Sequence, residues 1–351
     1  MKSVRFAAVV LLVLGTIAVS GTASAQTKVR FTLDWIPGAT HGAFLIALQK
    51  GYYKAEGLDV TMDRGKGSAE VVRQLAAGVY DMGFPDINTV MDFDSRNPDA
   101  AFPVVMIGYE EAPAAIVTLK SSGITEPKQL NGRKLGSAPN DSTFKLFPIF
   151  ARKTGIDAAS VEFQTIDPAL REVLLVQKKV DAIPGQIFNA LLELKAKGVP
   201  ASDVRYFMYK DYGLLLYANS VAASSRFLKE HPDSVRGFLR ATLKGLKDMA
   251  RDPELAVDAA VAFEPLLNPD IERERLKVAL ECCILTETVR KKGFGDIDRE
   301  RLETNITEIA EAYNLPRRPK LEEIFDAAYL PDEKERLIET VLPAQRFKKS
   351  E

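Results

Sequence analysis

The pattern of apolar and polar positions divides the chain into two parts. From residue 28 to about residue 218, short apolar runs alternate with amphipathic stretches. This alternation predicts βαβ units, and therefore an α/β fold with mainly parallel sheets. After Ser224 the pattern predicts almost continuous helix, interrupted at prolines that include Pro232 and Pro253.

The predicted strands are short apolar runs bounded by turn residues. They are Val29–Leu33, Leu58–Met62, Tyr80–Phe84, Val104–Gly108, Ala115–Leu119, Lys134–Gly136, Val161–Gln164, Val180–Pro184, Val204–Met208 and Leu214–Ala218. The predicted helices have amphipathic periodicity. They are Ala39–Gln49, Ala69–Ala77, Asp86–Asp94, Ser142–Lys153, Pro168–Gln177 and Gln186–Lys197, then Pro232–Arg251, Pro253–Phe263, Ile271–Cys283 and Arg299–Tyr313.

Two halves of the α/β part follow the same plan. In each half a strand leads into a Gly-Ser turn and a helix, at Gly67-Ser68 and at Gly136-Ser137. A short apolar strand that carries an Asp, Asp81 or Asp181, comes at the end of each half. The chain of 351 residues also exceeds one ordinary hydrophobic core. The sequence therefore predicts two lobes of similar design.

Residues 1–25 have the anatomy of a cleavable secretory signal. Lys2 and Arg5 flank the start of an apolar core at Phe6–Val19, and Ala23-Ser24-Ala25 is a small-x-small cleavage site. The apolar core is shorter than the roughly 20 residues that a spanning helix needs. We therefore expect a freely diffusing periplasmic protein whose mature chain begins at Gln26.

Charge and cysteine content exclude two classes of function. Loss of the two basic residues of the signal takes the formal charge from −1 to −3, whereas nucleic-acid binding requires a basic patch and a high pI. The only cysteines, Cys282 and Cys283, are adjacent. Adjacent cysteines rarely form a disulfide, and these two with two scattered His offer no metal-ligand set. We expect neither a nucleic-acid partner nor a metal.

The stretch FTLDWIPGATHGAFLIALQKGYYKAEGLDV, Phe31 to Val60, carries the most chemical information. It places the only Trp of the chain, Trp35, six residues before His41 in one strand-to-helix turn. Open α/β sheets hold ligands at such turns, because helix-start N–H groups and loop side chains converge there. We predict that Trp35 stacks on a flat ring and that His41 hydrogen-bonds a ligand. The structural alternatives are that Trp35 seals its sheet and that His41 bonds a loop carbonyl.

This stretch also resembles the start of the mature periplasmic substrate-binding proteins of ABC importers, in the group of nitrate, sulfonate and taurine binders. Their motif is a hydrophobic-Asn/Asp-Trp unit, a Pro, a His and then KGYY-x-x-EGL. The matching residues are Asp34, Trp35, Pro37, His41, Lys50, Gly51, Tyr52, Tyr53, Glu56, Gly57 and Leu58. Within the group the chain is most similar to binders of thiamine-pyrimidine precursors and to the related pyrimidine synthase of thiamine biosynthesis.

The resemblance implies a two-lobed periplasmic-binding-protein clamshell of type II-like design, with a helical C-terminal extension. Lobe one would comprise residues 26–113 and 217–351, and lobe two residues 114–216. The chain would cross between the lobes near Glu111–Val117 and Tyr212–Ala218. The resemblance further implies a monomer without a cofactor that closes on a small molecule and delivers it to ABC permease subunits.

Further candidate ligand contacts lie at strand ends and helix starts, where backbone N–H groups are free. They are Gly67, Ser68, Asp86, Tyr109 and Glu110 in lobe one, and Ser137, Asp141, Ser142, Gln186, Asn189 and Tyr212 in lobe two. Tyr212 is predicted as the aromatic group opposite Trp35. The ordinary alternatives are a helix N-cap for Asp86 and a solvated turn for Glu110. The charged residues Arg273–Lys277 fit solvated surface.

The predicted contacts are rich in aromatic, amide, hydroxyl and carboxylate groups and poor in Arg. They favour a neutral or weakly basic heteroaromatic ligand such as a pyrimidine. A small sulfonate, nitrate or carboxylate anion at the helix starts is one alternative. An enzyme like the pyrimidine synthase is another alternative. Two features argue against it: the predicted export from the cytosol, and the lack of that enzyme's cysteine-rich iron motif. Presentation of the ligand to a sensor kinase also stays open.

Overall fold

The computed structural model describes residues 26–339, so the predicted signal peptide lies outside the described range. It contains two five-stranded sheets. The strands are β1 (Thr27–Thr32), β2 (Leu58–Asp63), β3 (Met82–Gly83), β4 (Val104–Ile107), β5 (Ala114–Leu119), β6 (Lys134–Ser137), β7 (Glu162–Thr165), β8 (Ala182–Gln186), β9 (Val204–Met208) and β10 (Ser220–Ala223). Sheet one has the order β2-β1-β3-β10-β4, and sheet two the order β7-β6-β8-β5-β9.

Helices connect the strands and make up most of the chain after β10. The α-helices are α1 (Gly42–Gln49), α2 (Tyr52–Ala55), α3 (Ser68–Ala76), α4 (Ile87–Arg96), α5 (Ser142–Lys145), α6 (Phe147–Thr154), α7 (Arg171–Val176), α8 (Ile187–Ala196), α9 (Ser225–Glu230), α10 (Pro232–Arg251), α11 (Glu254–Phe263), α12 (Pro269–Ala279), α13 (Glu287–Lys292), α14 (Arg299–Ala312), α15 (Leu321–Ile324) and α16 (Glu333–Arg336). A π-helical turn, Leu280–Ile284, follows α12. Within residues 26–339, no helix has the length and apolarity needed to cross a membrane.

Short 3₁₀ turns complete the secondary structure. They are Ala39–His41, Pro98–Ala100, Lys120–Ser122, Pro127–Leu130, Ala158–Ser160, Pro168–Leu170, Ala201–Asp203, Tyr209–Tyr212 and Ala327–Tyr329. Strands and helices alternate as expected, so the α/β class is confirmed.

The prediction of mainly parallel sheets is wrong. β1 and β6 pair in parallel with both of their neighbours, but β10 and β5 run antiparallel to both of theirs. β5 and β10 are the strands that enter a sheet directly after the chain has come from the other sheet. Each therefore approaches from the opposite direction, which reverses its pairing.

The chain passes between the sheets twice. It leaves sheet one after Ile107 to join β5, and it leaves sheet two after Met208 to join β10. The two crossing segments hydrogen-bond each other, with Ala112 N–H donating to Leu216 O at 2.9 Å and Ala218 N–H donating to Tyr109 O at 3.1 Å. The division into lobes at residues 113/114 and 216/217 stays a prediction.

The predicted strand Leu214–Ala218 is wrong, because these residues form part of the second crossing and ladder pairing begins at Ser220. All of its side chains except that of Leu215, which is exposed, are nevertheless buried. Burial in the crossing and burial in a strand produce the same apolar run, so the pattern could not separate them.

The first lobe's core fixes the loop that carries Trp35. α1 is buried along Gly42–Ala47 and packs against α10. Gly245 of α10 lies so close to α1 that a Cβ there would be 2.1 Å from Ala43 O. Phe31, Phe44 and Phe238 form an aromatic cluster with ring centroids 4.9–6.4 Å apart between β1 and the two helices. The end of β1 is therefore anchored on both sides.

Candidate ligand-binding site

A cavity of about 270 Å³ lies where the carboxyl end of β1 faces the helix starts of sheet two. We call it the first cavity. Its lining residues are Asp34, Trp35, Gly67, Ser68, Asp141, Ser142, Arg171, Gln186 and Asn189. The structure thus brings together seven of the predicted contacts, namely Trp35, Gly67, Ser68, Asp141, Ser142, Gln186 and Asn189. Asp34 and Arg171 were not among the predicted contacts.

Asp34 is the buried carboxylate of the first cavity, with 5% of its surface exposed. Its Oδ1 lies 3.0 Å from His41 Nε2, and the Gly38 N–H donates to His41 Nδ1 at 3.2 Å. Since Nδ1 accepts a hydrogen bond, the ring proton of the neutral imidazole is on Nε2 and is donated to Asp34. Oδ2 of Asp34 has no hydrogen-bond partner among residues 26–339. His41 therefore lies behind Asp34 and holds it, and does not itself line the cavity.

The loops of the two sheets touch beside the first cavity. The Gly67 N–H donates to Asp34 O at 2.8 Å, which holds the turn before α3 against the end of β1. Gly67 has φ +116°, and a Cβ there would lie 2.4 Å from Asn140 O of sheet two's loop. Ala69 N–H reaches the same carbonyl at 3.4 Å. Only glycine fits this junction, where the two halves of the molecule are closed onto each other.

Ser68 and Asp86 form a linked pair, of which only Ser68 lines the cavity. The Asp86 N–H donates to Ser68 Oγ at 3.0 Å, so the Ser68 hydroxyl can donate into the cavity. The Asp86 carboxylate caps α4 by accepting the Asn88 and Thr89 N–H groups at 2.9 and 3.2 Å. Burial raises the pKa of Asp86 to about 7, although these hydrogen bonds act to lower it. Asp86 is thus a helix cap, the alternative that the sequence left open.

Arg171 is the group that faces Trp35. Its guanidinium lies 5.4 Å from the Trp35 ring centroid, and its side chain is almost fully buried. Nε and Nη2 donate to Glu172 Oε1 at 2.9 and 2.6 Å, and Nη1 donates to Asp141 Oδ2 at 3.0 Å. Burial acts to lower the pKa of Arg171, but the Glu172 and Asp141 carboxylates outweigh it and raise that pKa. The prediction that Tyr212 lies opposite Trp35 is wrong, because Tyr212 packs edge-on against Phe150.

Asp141 links the arginine to a helix start. Its carboxylate accepts the Thr143 and Phe144 N–H groups, at 2.7 and 3.3 Å, and so caps α5. Burial raises the pKa of Asp141, while Arg171 and these N–H donors oppose that rise. The cap leaves Ser142, at the first position of α5, on the cavity wall.

A second cavity, of about 700 Å³, lies on the other side of the Trp35–Arg171 pair. It shares Trp35, Arg171 and Asn189 with the first cavity, so the two lie side by side with a common wall, and we call them together the cleft. Its other lining residues are Ile36, Pro37, Gly38, Thr40, Pro168, Ala169, Glu172, Glu193, Leu267, Glu272 and Arg275. The C-terminal helix α12 therefore contributes directly to the cleft.

Arg275 connects α12 to sheet two's helix α8. Only 5% of Arg275 is exposed. Its guanidinium donates to Glu272 Oε1 at 2.8 Å, to Asn189 Oδ1 at 2.9 Å and to Glu193 Oε1 at 2.7 Å. The expectation that Arg273–Lys277 is solvated surface is thus wrong for Arg275. It holds for Arg273, which is about half exposed.

Four further predicted contacts line neither cavity, because they lie behind the strand ends. Tyr109 is buried between Phe84 and Phe188, and this burial holds its pKa well above the ordinary value. Glu110 is buried and pairs with Arg301, so the solvated-turn alternative also fails. Ser137 donates to the neighbouring Ala138 carbonyl at 3.2 Å. Tyr212, which packs edge-on against Phe150, is the fourth of these residues.

A family model described as NMT1/THI5 like matches residues 39–256, well over half of the chain. The chain belongs to the NMT1/THI5-like family. The predicted relationship is thereby confirmed. The matched range includes the sheet-two side of both cavities and ends at the start of α11. Two parts of the cleft lie outside it, the segment 34–38 that carries Asp34 and Trp35, and the α12 side.

Three relatives of this NMT1/THI5-like protein carry informative names. The riboflavin-binding protein RibY of Chloroflexus aurantiacus is 24% identical over 87% of this chain and 86% of its own. A formylaminopyrimidine-binding protein of Halalkalibacterium halodurans is 26% identical over 80% of this chain and 86% of its own. A 4-amino-5-hydroxymethyl-2-methylpyrimidine phosphate synthase of Saccharomyces cerevisiae is 26% identical over 70% of this chain and 73% of its own.

Two solved structures show the fold of the NMT1/THI5-like chain. A Candida albicans protein described as having the generic periplasmic binding protein fold aligns with a TM-score of 0.65 and 17% identity, over 87% of this chain and 97% of that one. The alkanesulfonate-binding protein SsuA of Xanthomonas axonopodis pv. citri aligns with a TM-score of 0.67 and 13% identity, over 88% and 99%. The predicted periplasmic-binding-protein fold is confirmed.

Acidic side chains outnumber basic ones in the cleft of this NMT1/THI5-like protein. Five carboxylates face two guanidinium groups across the two cavities, and they belong to Asp34, Asp141, Glu172, Glu193 and Glu272. Both arginines already pair with carboxylates. The predicted scarcity of Arg is therefore wrong in number, but the arginines present little free positive charge.

Proposed function

We propose that the chain is the periplasmic solute-binding component of an ABC importer. It binds a small heteroaromatic ligand that carries ring or amino N–H donors, and the permease subunits receive that ligand. The observation that carries this proposal is the pairing of Trp35 with Asp34 in one cavity. A flat ring can stack on the indole while its N–H group donates to the free Oδ2 of Asp34.

The charge of the cleft favours such a ligand over a small anion. A sulfonate or nitrate would need donors that are not already committed. Arg171 is held by Glu172 and Asp141, and Arg275 by Glu272 and Glu193. An added anion would also lie within a few ångströms of Asp34, where like charges repel strongly in a partly buried site. A neutral or weakly basic ring avoids both penalties. The relatives named for riboflavin and formylaminopyrimidine are in keeping with a ring ligand.

An enzyme like the named synthase is the second candidate, supported by the 26% identity to that relative. Two features favour binding alone. Cys282 and Cys283 are buried, free thiols in Leu280–Ile284 and line neither cavity, and burial holds the pKa of Cys283 well above its ordinary value. His41 hydrogen-bonds Asp34 and lines neither cavity. We propose that the ligand leaves chemically unchanged, which mass spectrometry of the released ligand would test.

A thermal-shift screen of the chain from Gln26 onward tests the ligand class. The panel would contain aminopyrimidines, flavins, alkanesulfonates, nitrate and aromatic acids. A ligand at a hundredfold its dissociation constant adds about 2.7 kcal/mol to the free energy of unfolding, which is readily detected. We expect stabilisation by a nitrogen heterocycle. Stabilisation by anions alone would refute the proposed ligand class.

Trp35→Ala tests the stacking contact, with Tyr212→Ala as the matched removal of an aromatic group outside the cleft. We expect Trp35→Ala to weaken binding of the best ligand from the screen at least about tenfold, since stacking on an aromatic ring plus its apolar area contributes more than about 1.4 kcal/mol. Tyr212→Ala should leave affinity within about twofold. Equal losses in both variants would remove Trp35 from the site.

A further inference from the structure

The second cavity contains a buried carboxylate with one unused oxygen. Glu172 is 3% exposed and lines this cavity. Its Oε1 accepts both hydrogen bonds from Arg171, at 2.9 and 2.6 Å. Oε2 has no hydrogen-bond partner in the described part of the chain. Oε2 is not among the sealed, unpartnered polar atoms of the described residues, so it is open to the cavity. An accessible carboxylate oxygen on the wall of a cavity is a strong acceptor, and it marks a place where a bound donor can pair.

Glu172 and Asp34 are counterparts on the two sides of the Trp35–Arg171 pair. Each carboxylate is held through one oxygen, Glu172 by Arg171 and Asp34 by His41. Each has its other oxygen free of partners within residues 26–339 and lines one of the two cavities. Trp35, Arg171 and Asn189 border both cavities, so a ligand that extends from one cavity into the other would reach both free oxygens.

The charged neighbours of Glu172 in the second cavity leave it without a further partner. Arg275 is the other cation there, and its donors go to Glu272, Glu193 and Asn189. Glu193 and Glu272 are themselves acidic and cannot donate to Glu172 when ionised. The side chains that line the second cavity therefore leave Oε2 available to a donor of the ligand, and a cationic donor would also offset the excess of carboxylates.

We propose that Glu172 is a second recognition carboxylate, and that the ligand is a heteroaromatic ring with an arm ending in a hydrogen-bond donor, best an ammonium group. This inference rests on the proposed function. The ring lies at Trp35 with its N–H on Asp34, and the arm passes the Trp35–Arg171 pair into the second cavity to donate to Glu172 Oε2. The second cavity is the larger of the two, so it is the one in which an arm would lie.

Calorimetric titration with matched probes tests this arrangement in the unaltered chain. The probes are 4-aminopyrimidine and its analogues with an aminopropyl, a hydroxypropyl or a carboxyethyl arm. We expect the aminopropyl arm to tighten binding about tenfold over the ring alone, because a charge-assisted hydrogen bond to a buried carboxylate contributes that much. The hydroxypropyl arm should give a smaller gain, and the carboxyethyl arm should weaken binding about tenfold.

Two variants then assign the arm to its carboxylate. In Glu172→Gln every probe should lose some affinity, because Glu172 also holds Arg171 beside Trp35. The gain from the aminopropyl arm over the ring alone should fall below about threefold. Asp34→Asn should weaken every probe by a common factor and keep the gain from the arm. Thermal unfolding would establish that both variants fold, and the probe series in the unaltered chain needs neither of them.

The outcomes separate the two proposals. If 4-aminopyrimidine and all its analogues fail to bind, and no nitrogen heterocycle stabilises the protein in the screen, the proposed function falls and this inference with it. If another nitrogen heterocycle stabilises the protein but none of these probes binds, only the inference is overturned. If the ring binds but the aminopropyl arm adds nothing, or its gain survives in Glu172→Gln, only the inference is overturned.

Discussion

Asp34 and Arg171 are each held by neighbouring side chains before any ligand binds. His41 holds one oxygen of Asp34, and Glu172 and Asp141 hold the guanidinium of Arg171. Side chains fixed in this way lose little conformational freedom when a ligand arrives, so more of the interaction energy appears as affinity. The neighbours therefore matter for affinity although a ligand need not touch them.

The raised pKa of Asp86 predicts how the free energy of unfolding changes with pH. Its pKa is about 7 in the folded chain and near 3.8 when unfolded. Between those pH values the native state keeps a proton that the unfolded state releases, so raising the pH lowers the free energy of unfolding. Asn at this position can still cap α4 but does not titrate. We expect Asp86→Asn to gain stability relative to the wild type as pH rises from about 4 to 7, by at most about 1.4 kcal/mol per pH unit.

Urea unfolding of both proteins at several pH values would measure this difference. Stability curves that run parallel across the window would show that Asp86 is ionised throughout and would contradict the prediction.

The residues of the site were predictable where a local pattern points to them. Trp35 and Ser68 follow strands and precede helices, which is a recognisable position. Arg171 was missed because an Arg-Glu pair at the start of a helix usually indicates solvated surface. Its one local signal was Asp167-Pro168, an N-cap and first-turn Pro that place Arg171 at the start of α7. Its burial depends on Gly185, whose Cβ would lie 2.8 Å from the guanidinium.

At the scale of elements, the sequence predicted most strands but not how they pair. The run Val29–Leu33 has a regular apolar pattern and lies within one residue or two of β1. The predicted helix Ser142–Lys153 is instead divided into α5 and α6 next to Pro148, which cannot donate a backbone hydrogen bond. The direction of β5 and β10 depends on the crossings between sheets, and no local pattern records that.

Arg275 joins α12 to α8 across the cleft. We therefore expect this contact to stabilise the closed state. Arg275→Gln removes the charge that compensates the buried Glu272 and the partly exposed Glu193. Loss of one partner of a buried pair such as Arg275–Glu272 is worth about 3 kcal/mol. We expect a larger radius of gyration in solution scattering, and ligand affinity reduced at least about tenfold.

Arg273→Gln is the matched control for this prediction. Arg273 lies two residues away on the same helix, but it pairs with Glu254 and Asp270 within the C-terminal helices. Its replacement should leave both the scattering profile and the affinity unchanged. Identical behaviour of the two variants would mean that Arg275 has no special role in closure.

At the scale of the whole molecule, the proposed ligand site lies where the two halves of the molecule meet. Asp34 and Trp35 follow sheet one's β1, Asp141 and Arg171 belong to the half built on sheet two, and α12 closes the remaining side. The paired crossing segments are the covalent connection about which these parts can move. A ligand that contacts both sides favours the closed state by its differential affinity for it. We expect the permease to recognise that state.

The fluorescence of Trp35 gives the most direct test, because it is the only tryptophan in the chain. The measurement is a titration of the chain from Gln26 onward with an aminopyrimidine, with selective excitation of the indole. We expect a saturable change in intensity and emission maximum with the same dissociation constant as calorimetry. A nitrogen heterocycle that stabilises the protein without changing Trp35 emission would contradict ring binding at this site.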